Sequence, residues 1–255
     1  RKQQRSLGIS EAEKVKIAVK SLGLDDLAPF DPGKRVIEYV IAEEGKFALV
    51  NMTLTQFANT TASEAPAPGG GSISAYAGAL GAALATMVAN LSAHKRGWDG
   101  RWEEFSVHAE RGLALQNQLM ALVDADTQAF DAIMSAYGMP KGSDDQKAKR
   151  HQAIQAATRN AIDIPMQVAQ LAHDGLSLAA AMSSDGNPNS VTDAGVGAMC
   201  LRTAVLGAVL NARINCGDLE DTDYVAQIQS RCAELVESAT GQELDILATV
   251  DRVLA

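Results

Sequence analysis

From Ile73 to Ala93 the chain carries no charged side chain, and most of this segment is alanine and glycine. A run of this length nominally matches the ~20 residues that cross a bilayer. However, Ser74, Thr86, Asn90 and Ser92 interrupt it, and its small side chains are too weakly hydrophobic for a convincing span. A helix that lacks a charged face must then be covered by protein on all sides. The segment therefore predicts a central helix wrapped by other helices, and no membrane partner.

The rest of the chain fits that wrapping. Aromatic residues make up only 4% of 255, which favours closely packed helices over a β-sandwich. Beyond about Val50 the pattern reads helix after helix. A short one begins at Thr53 to Ala58, a turn follows at Pro66 to Ser72, and the uncharged helix covers Ile73 to Ser92. Gly97 to Gly100 breaks the chain before a long helix from about Trp102 to near Gly138-Met-Pro140. After the charged loop Lys141 to Asp145, a helix runs from Gln146 to about Asp163. Pro165 kinks or interrupts it before it resumes to about Met182. The last two helices cover Val191 to about Cys216 and Thr222 to Val253. Residues up to about Gly45 read differently: a charged helical stretch from Glu11 to Leu22, a turn through Pro29 and Pro32, and a β-branched, aromatic strand over Arg35 to Ile41.

One residue is out of place in this pattern. Leu119, Leu122, Val123, Asp126, Phe130 and Ile133 recur at offsets of three and four, so Asp126 sits on an apolar stripe where a charge is costly. Asp124 falls on the other face with Asn117, Met120, Gln128 and Asp131, where solvation explains it. Burial raises a carboxyl above its model value of roughly 3.9 and suits it to move protons near neutral pH. Asp126 is thus the candidate acid/base. The alternatives are a hydrogen bond to a neighbouring helix end or a pair with a buried Arg.

The net charge of -9 argues against nucleic acid as a main partner. Cys200, Cys216 and Cys232 are widely spaced without a CxxC or CxxH pattern, so a reducing cytoplasm fits better than a disulfide framework or a zinc site. The four histidines have no metal-binding spacing, and no metal is expected. Pro66-Ala-Pro-Gly-Gly-Gly-Ser72 precedes a helix whose free N–H groups can meet a carboxylate, a phosphate or an amide-bearing ring. It lacks the Gly-Lys-Ser/Thr ending of a nucleotide-binding loop, and a plain helix start with a Ser cap explains the spacing equally. Ser190 and Asp193 are spaced as a capping box. Asn187, Asn189 and Asn211 add amides able to read a heterocycle. Lys95, Arg96 and Arg101 form a basic cluster that complements a helix end or holds an anionic tail.

Taken together, Ser63 to Ser72, Gly78-Ala-Leu-Gly-Ala-Ala-Leu84, Met87-Val-Ala-Asn90, Leu122-Val-Asp-Ala-Asp126, Phe130 and Gly186 to Asp193 resemble the formimidoyltetrahydrofolate cyclodeaminase family over about Met52 to Leu247. Leu22 to Tyr39 resembles the end of the formimidoyltransferase half of a bifunctional formimidoyltransferase-cyclodeaminase. The resemblance implies an all-α bundle of long packed helices over residues 46–255. It also implies that residues 1–45 are a short α/β remnant of the upstream transferase domain plus linker. The transferase's catalytic histidine would lie upstream of this sequence, so no transferase activity is expected.

In the function that this resemblance implies, within histidine degradation and one-carbon metabolism, 5-formimidoyltetrahydrofolate is converted to 5,10-methenyltetrahydrofolate and ammonia. Asp126 matches the family's catalytic aspartate. Gly69, Gly70, Gly71, Ser72, Asn90, Asn187 and Asp193 are assigned to holding the folate, and Lys95 or Arg96 to its glutamate tail, polyglutamylated or not. No cofactor beyond the folate is expected. The resemblance further implies a homodimer, its folate site near the subunit interface, and in the bifunctional enzyme a larger ring. The rival readings are methenyltetrahydrofolate cyclohydrolase, which shares the fold, and a non-catalytic folate-binding or oligomerisation module.

Overall fold

The computed structural model describes residues 8–26, 28–36 and 49–255. Among the described residues the regular elements are helices: α1 (Glu11–Ser21), α2 (Pro32–Arg35), α3 (Leu54–Thr61), α4 (Gly70–Ala93), α5 (Trp102–Tyr137), α6 (Asp144–Asp185), α7 (Val191–Asn215) and α8 (Thr222–Leu254). Short 3-10 turns at Leu49–Asn51, Asp99–Arg101, Pro188–Ser190 and Cys216–Asp218 link them. Of the strand expected over Arg35 to Ile41, Arg35 closes α2 and Val36 is irregular, while residues 37–41 lie outside the described residues.

The uncharged helix is the inner wall of the bundle, as its composition requires: α4 packs against α5, α6 and α7, and α8 covers α6 and α7. Ala75, Ala82, Ala85, Val88 and Ala89 of α4 have no solvent exposure. Small residues allow the close approach. A Cβ placed on Gly81 would stand 2.7 Å from the Gly197 carbonyl oxygen, so α4 and α7 touch backbone to backbone there. By length and composition α4 and the Pro188–Asp218 stretch would each suffice to cross a membrane, yet both bury much of that surface against neighbouring helices.

Burial of α4 is nevertheless one-sided, which corrects the expectation of cover all round. Ile73, Leu80, Met87 and Leu91 are exposed, as are Val196, Met199, Leu210 and Ile214 of the adjacent α7. Two neighbouring helices thus leave an apolar stripe uncovered within one chain.

α6 is a single helix of 42 residues that passes through Pro165 without ending. Proline has no N–H to give to the carbonyl four residues earlier, which here is Ala161. The Asn215 side chain of α7 replaces it, its Nδ2 donating to the Ala161 oxygen at 2.9 Å. Of the kink or interruption expected at Pro165, the interruption does not occur: the orphaned carbonyl has a partner on another helix.

Asp124 also departs from expectation. It is half-buried, and its Oδ1 accepts the Leu49 N–H at 2.6 Å, which fastens the Leu49–Asn51 turn to α5. An acceptor for a backbone donor 75 residues away cannot be seen in helical periodicity.

Candidate active site

The apolar stripe of α5 changes character along its length. Leu119, Leu122 and Val123 are buried in the core. One turn further on, Asp126, Phe130 and Ile133 leave it to form one wall of a cavity of about 230 Å³. Thr127 and Ala129 of the same helix line it too, together with Pro66, Ala67, Gly69 to Gly71, Ala161 and, from the end of α7, Asn211, Ile214 and Asn215.

The segment Gly70 to Ser72, expected as part of a turn, is the first turn of α4, with Gly69 at the N-cap. Gly69 has no side chain to cap the helix, and Ser72 does not cap it either. The acceptor is supplied from α5. Asp126 Oδ2 accepts the Ser72 hydroxyl at 3.0 Å, and the carboxylate also takes a backbone hydrogen bond from Ser72. A Cβ on Gly71 would collide with the Asp126 carboxylate, so only glycine leaves room for this arrangement. Gly71 is therefore required by the carboxylate's position, not by the flexibility of a loop.

Opposing effects act on Asp126. Burial raises its pKa above the ordinary carboxylate range, and this is the largest effect. The two hydrogen bonds from Ser72 favour the ionised form and oppose the rise without cancelling it. The result is a carboxylate held at a fixed orientation in a cavity, with its proton affinity enhanced. Such a group can accept a proton from a bound molecule and return it. Among the described residues the alternative of a buried Arg partner does not hold: neither an ion pair nor a charged neighbour accounts for its shift. A helix end is indeed its neighbour, and the cavity lies beside that contact.

Asn211 and Asn215 sit one turn apart on α7. Asn211 Nδ2 donates to the Gly207 carbonyl at 2.8 Å, and Asn215 Nδ2 donates to the carbonyls of Ala161 and Asn211. The sequence marks Asn211 as an amide able to read a heterocycle and does not single out Asn215. Pro165 shows in the sequence that a helical carbonyl lacks its usual donor, but nothing there names Asn215 as the group that supplies it. Thr127 Oγ1 is buried beside the cavity without a hydrogen-bond partner among the described residues.

The other expected site residues lie elsewhere. Asn90, Lys95 and Arg96 are at or beyond the far end of α4, about 30 Å from Gly71 by helical rise. Asn90 Nδ2 donates to the Gly8 carbonyl at 2.8 Å. Lys95 lies over the Trp98 ring, 3.9 Å from its centroid, while Arg96 is exposed. Asn187 is occupied with local structure, donating its N–H to Ser92 Oγ and accepting from the Asn189 N–H. Asp193 belongs to the first turn of α7, at the end opposite Asn211. The capping box expected with Ser190 does not form. The Pro188–Ser190 turn runs straight into α7, so the Val191 N–H bonds to Pro188 and needs no side chain. Within one chain, then, Gly69 to Ser72 join Asp126, whereas Asn90, Lys95, Arg96, Asn187 and Asp193 do not.

Comparison with known proteins identifies relatives of this chain. A family model described as formiminotransferase-cyclodeaminase matches residues 53–234, and one for the formiminotransferase domain matches residues 1–42. The formimidoyltransferase-cyclodeaminase of Rattus norvegicus is 32% identical over 244 residues, covering 95% of this chain and 45% of the relative. The chain thus spans about half the length of that protein. A methenyltetrahydrofolate cyclohydrolase from Methylorubrum extorquens is 34% identical over 200 residues, covering 78% of this chain and 96% of the relative. A solved structure, formiminotetrahydrofolate cyclodeaminase from Thermotoga maritima, superposes with a TM-score of 0.65 at 25% identity, over 80% of this chain and 96% of that one.

Proposed function

The chain belongs to the formiminotransferase-cyclodeaminase family, and from that premise we propose that it converts 5-formimidoyltetrahydrofolate to 5,10-methenyltetrahydrofolate and ammonia. The observation that carries this reading is the Asp126 carboxylate, raised in proton affinity and oriented by the first turn of α4 at the wall of a cavity. In the reaction N10 attacks the formimidoyl carbon, forming the N10–C bond of a five-membered ring. Asp126 takes the proton from N10 and returns it to the nitrogen that was the imino group. The C–N bond to that nitrogen breaks, ammonia leaves, and the positive charge of the amidinium passes to the methenyl bridge. No atom changes oxidation level, so the scheme uses no redox cofactor, and no metal is invoked.

Gly69 to Ser72 hold the reacting end of the folate against Asp126, and this positioning supplies much of the remaining acceleration. The cavity is smaller than the roughly 300–1,000 Å³ typical of drug-sized ligand sites, so it takes the reacting rings and leaves the glutamate tail outside. Because of their distance, Asn90, Lys95, Arg96, Asn187 and Asp193 serve this substrate from a neighbouring copy or along an extended tail. The exposed stripe on α4 and α7 supports a homodimer, and Ile214 carries that stripe to the cavity's edge. The match of residues 1–42 supports a transferase-derived segment up to about residue 45, ahead of a cyclodeaminase domain. The reaction belongs to one-carbon metabolism and histidine degradation in the cytoplasm.

A second reading has a specific observation in its favour. The Methylorubrum cyclohydrolase is matched almost from end to end, and hydrolysis of the methenyl bridge would employ the same carboxylate on water. Ammonia and methenyl absorbance followed together after adding 5-formimidoyltetrahydrofolate separate the two. One ammonia per methenyl group formed is the expected result. No ammonia, together with decay of methenyltetrahydrofolate supplied directly, would transfer the assignment to the cyclohydrolase.

A further inference from the structure

We propose that Asn211 determines specificity for the formimidoyl group itself, accepting a hydrogen bond from its terminal nitrogen; this rests on the reaction proposed above. The orientation of the amide is fixed by chemistry. A carbonyl oxygen can only accept, so the atom 2.8 Å from the Gly207 oxygen must be the Asn211 amide nitrogen. Its Oδ1 is thereby left as the acceptor, and among the described residues no hydrogen bond to it is formed. Asn215 is oriented in the same way, its nitrogen committed to the carbonyls of Ala161 and Asn211. Both asparagines line the cavity with Asp126.

The position is as specific as the orientation. A Cβ on Gly70 would stand 3.2 Å from Asn211 Nδ2 and 3.4 Å from Oδ1, and a Cβ on the next residue, Gly71, would meet the Asp126 carboxylate. Consecutive glycines thus bring an amide carbonyl and a carboxylate to one short stretch of backbone. Acceptors gathered in this way fit a cationic group rich in N–H donors. A formamidinium has such donors on its terminal nitrogen, whereas a formyl group of almost the same shape offers only an acceptor. A site built around committed acceptors rejects the oxygen analogue strongly, because two acceptors then face each other.

The test compares the two N5 substituents in the full chain. For Asn211→Ala, kcat/KM for 5-formimidoyltetrahydrofolate should fall by roughly 10- to 100-fold, the range of one hydrogen bond to a charged group. The inhibition constant of 5-formyltetrahydrofolate should remain within about 2-fold or improve. Asn211→Ser keeps a hydroxyl able to donate to the Gly207 carbonyl but does not reach as far. It should fold as the parent does and show the same loss of preference. Equal losses for both ligands, or none for either, would overturn the assignment of Asn211 while ammonia release by the parent chain upheld the reaction. Absence of ammonia release from the parent would overturn both.

Discussion

At Asp126 the cost of burying a charge and the gain from a helix N-terminus meet in one side chain. The carboxylate supplies the cap that Gly69 lacks, and its desolvation exceeds what Ser72 returns. A base whose pKa is raised must be ionised to act, so activity should fall with acid on a limb lying above the ordinary carboxylate range. Ser72 donates to the ionised form. Its replacement in Ser72→Ala removes a lowering influence, and the acidic limb of kcat/KM should move to higher pH. A pH-rate profile of the two proteins checks this, and a limb that stays in place or moves down would show that Ser72 does not set the proton affinity of Asp126.

Between elements, α6 depends on α7 through Pro165. Asn215→Ala leaves the Ala161 carbonyl without a donor, which should cost about 1–3 kcal/mol of stability. Pro165→Ala restores the helical N–H, so in the double variant most of that cost should vanish. Urea denaturation of the four proteins measures the coupling, and strictly additive losses would refute it. The same pair explains what sequence reading reaches. Helical period and breakers located the long helices, and the stripe of α5 identified Asp126, because these are local patterns. Partners such as Asp124 with Leu49, Asp126 with Ser72 and Asn215 with Ala161 are 75, 54 and 54 residues apart. Nothing local encodes them. The glycine run was visible, but its meaning as room for a carboxylate required the fold.

In the molecule as a whole, an Ala-rich inner helix gives rigid walls but leaves one apolar face open. Ile73, Leu80, Met87 and Leu91 lie beside the exposed residues of α7, and a second copy of the chain would cover them. Leu80→Glu places a charge on this stripe, away from the cavity, and sedimentation should show a dimer reduced to monomer. A parent that sediments as a monomer would rule out that occupant. The proposed reaction depends above all on Asp126, and Asp126→Asn tests it most directly. Asparagine can still accept from Ser72. The raised pKa also means that the ionised form costs stability above that pKa, so the variant should melt at or above the parent at neutral pH. Formation of methenyltetrahydrofolate from 5-formimidoyltetrahydrofolate should meanwhile drop by about 10²–10⁴-fold. A folded Asp126→Asn protein that turns over at the parental rate would contradict the central claim.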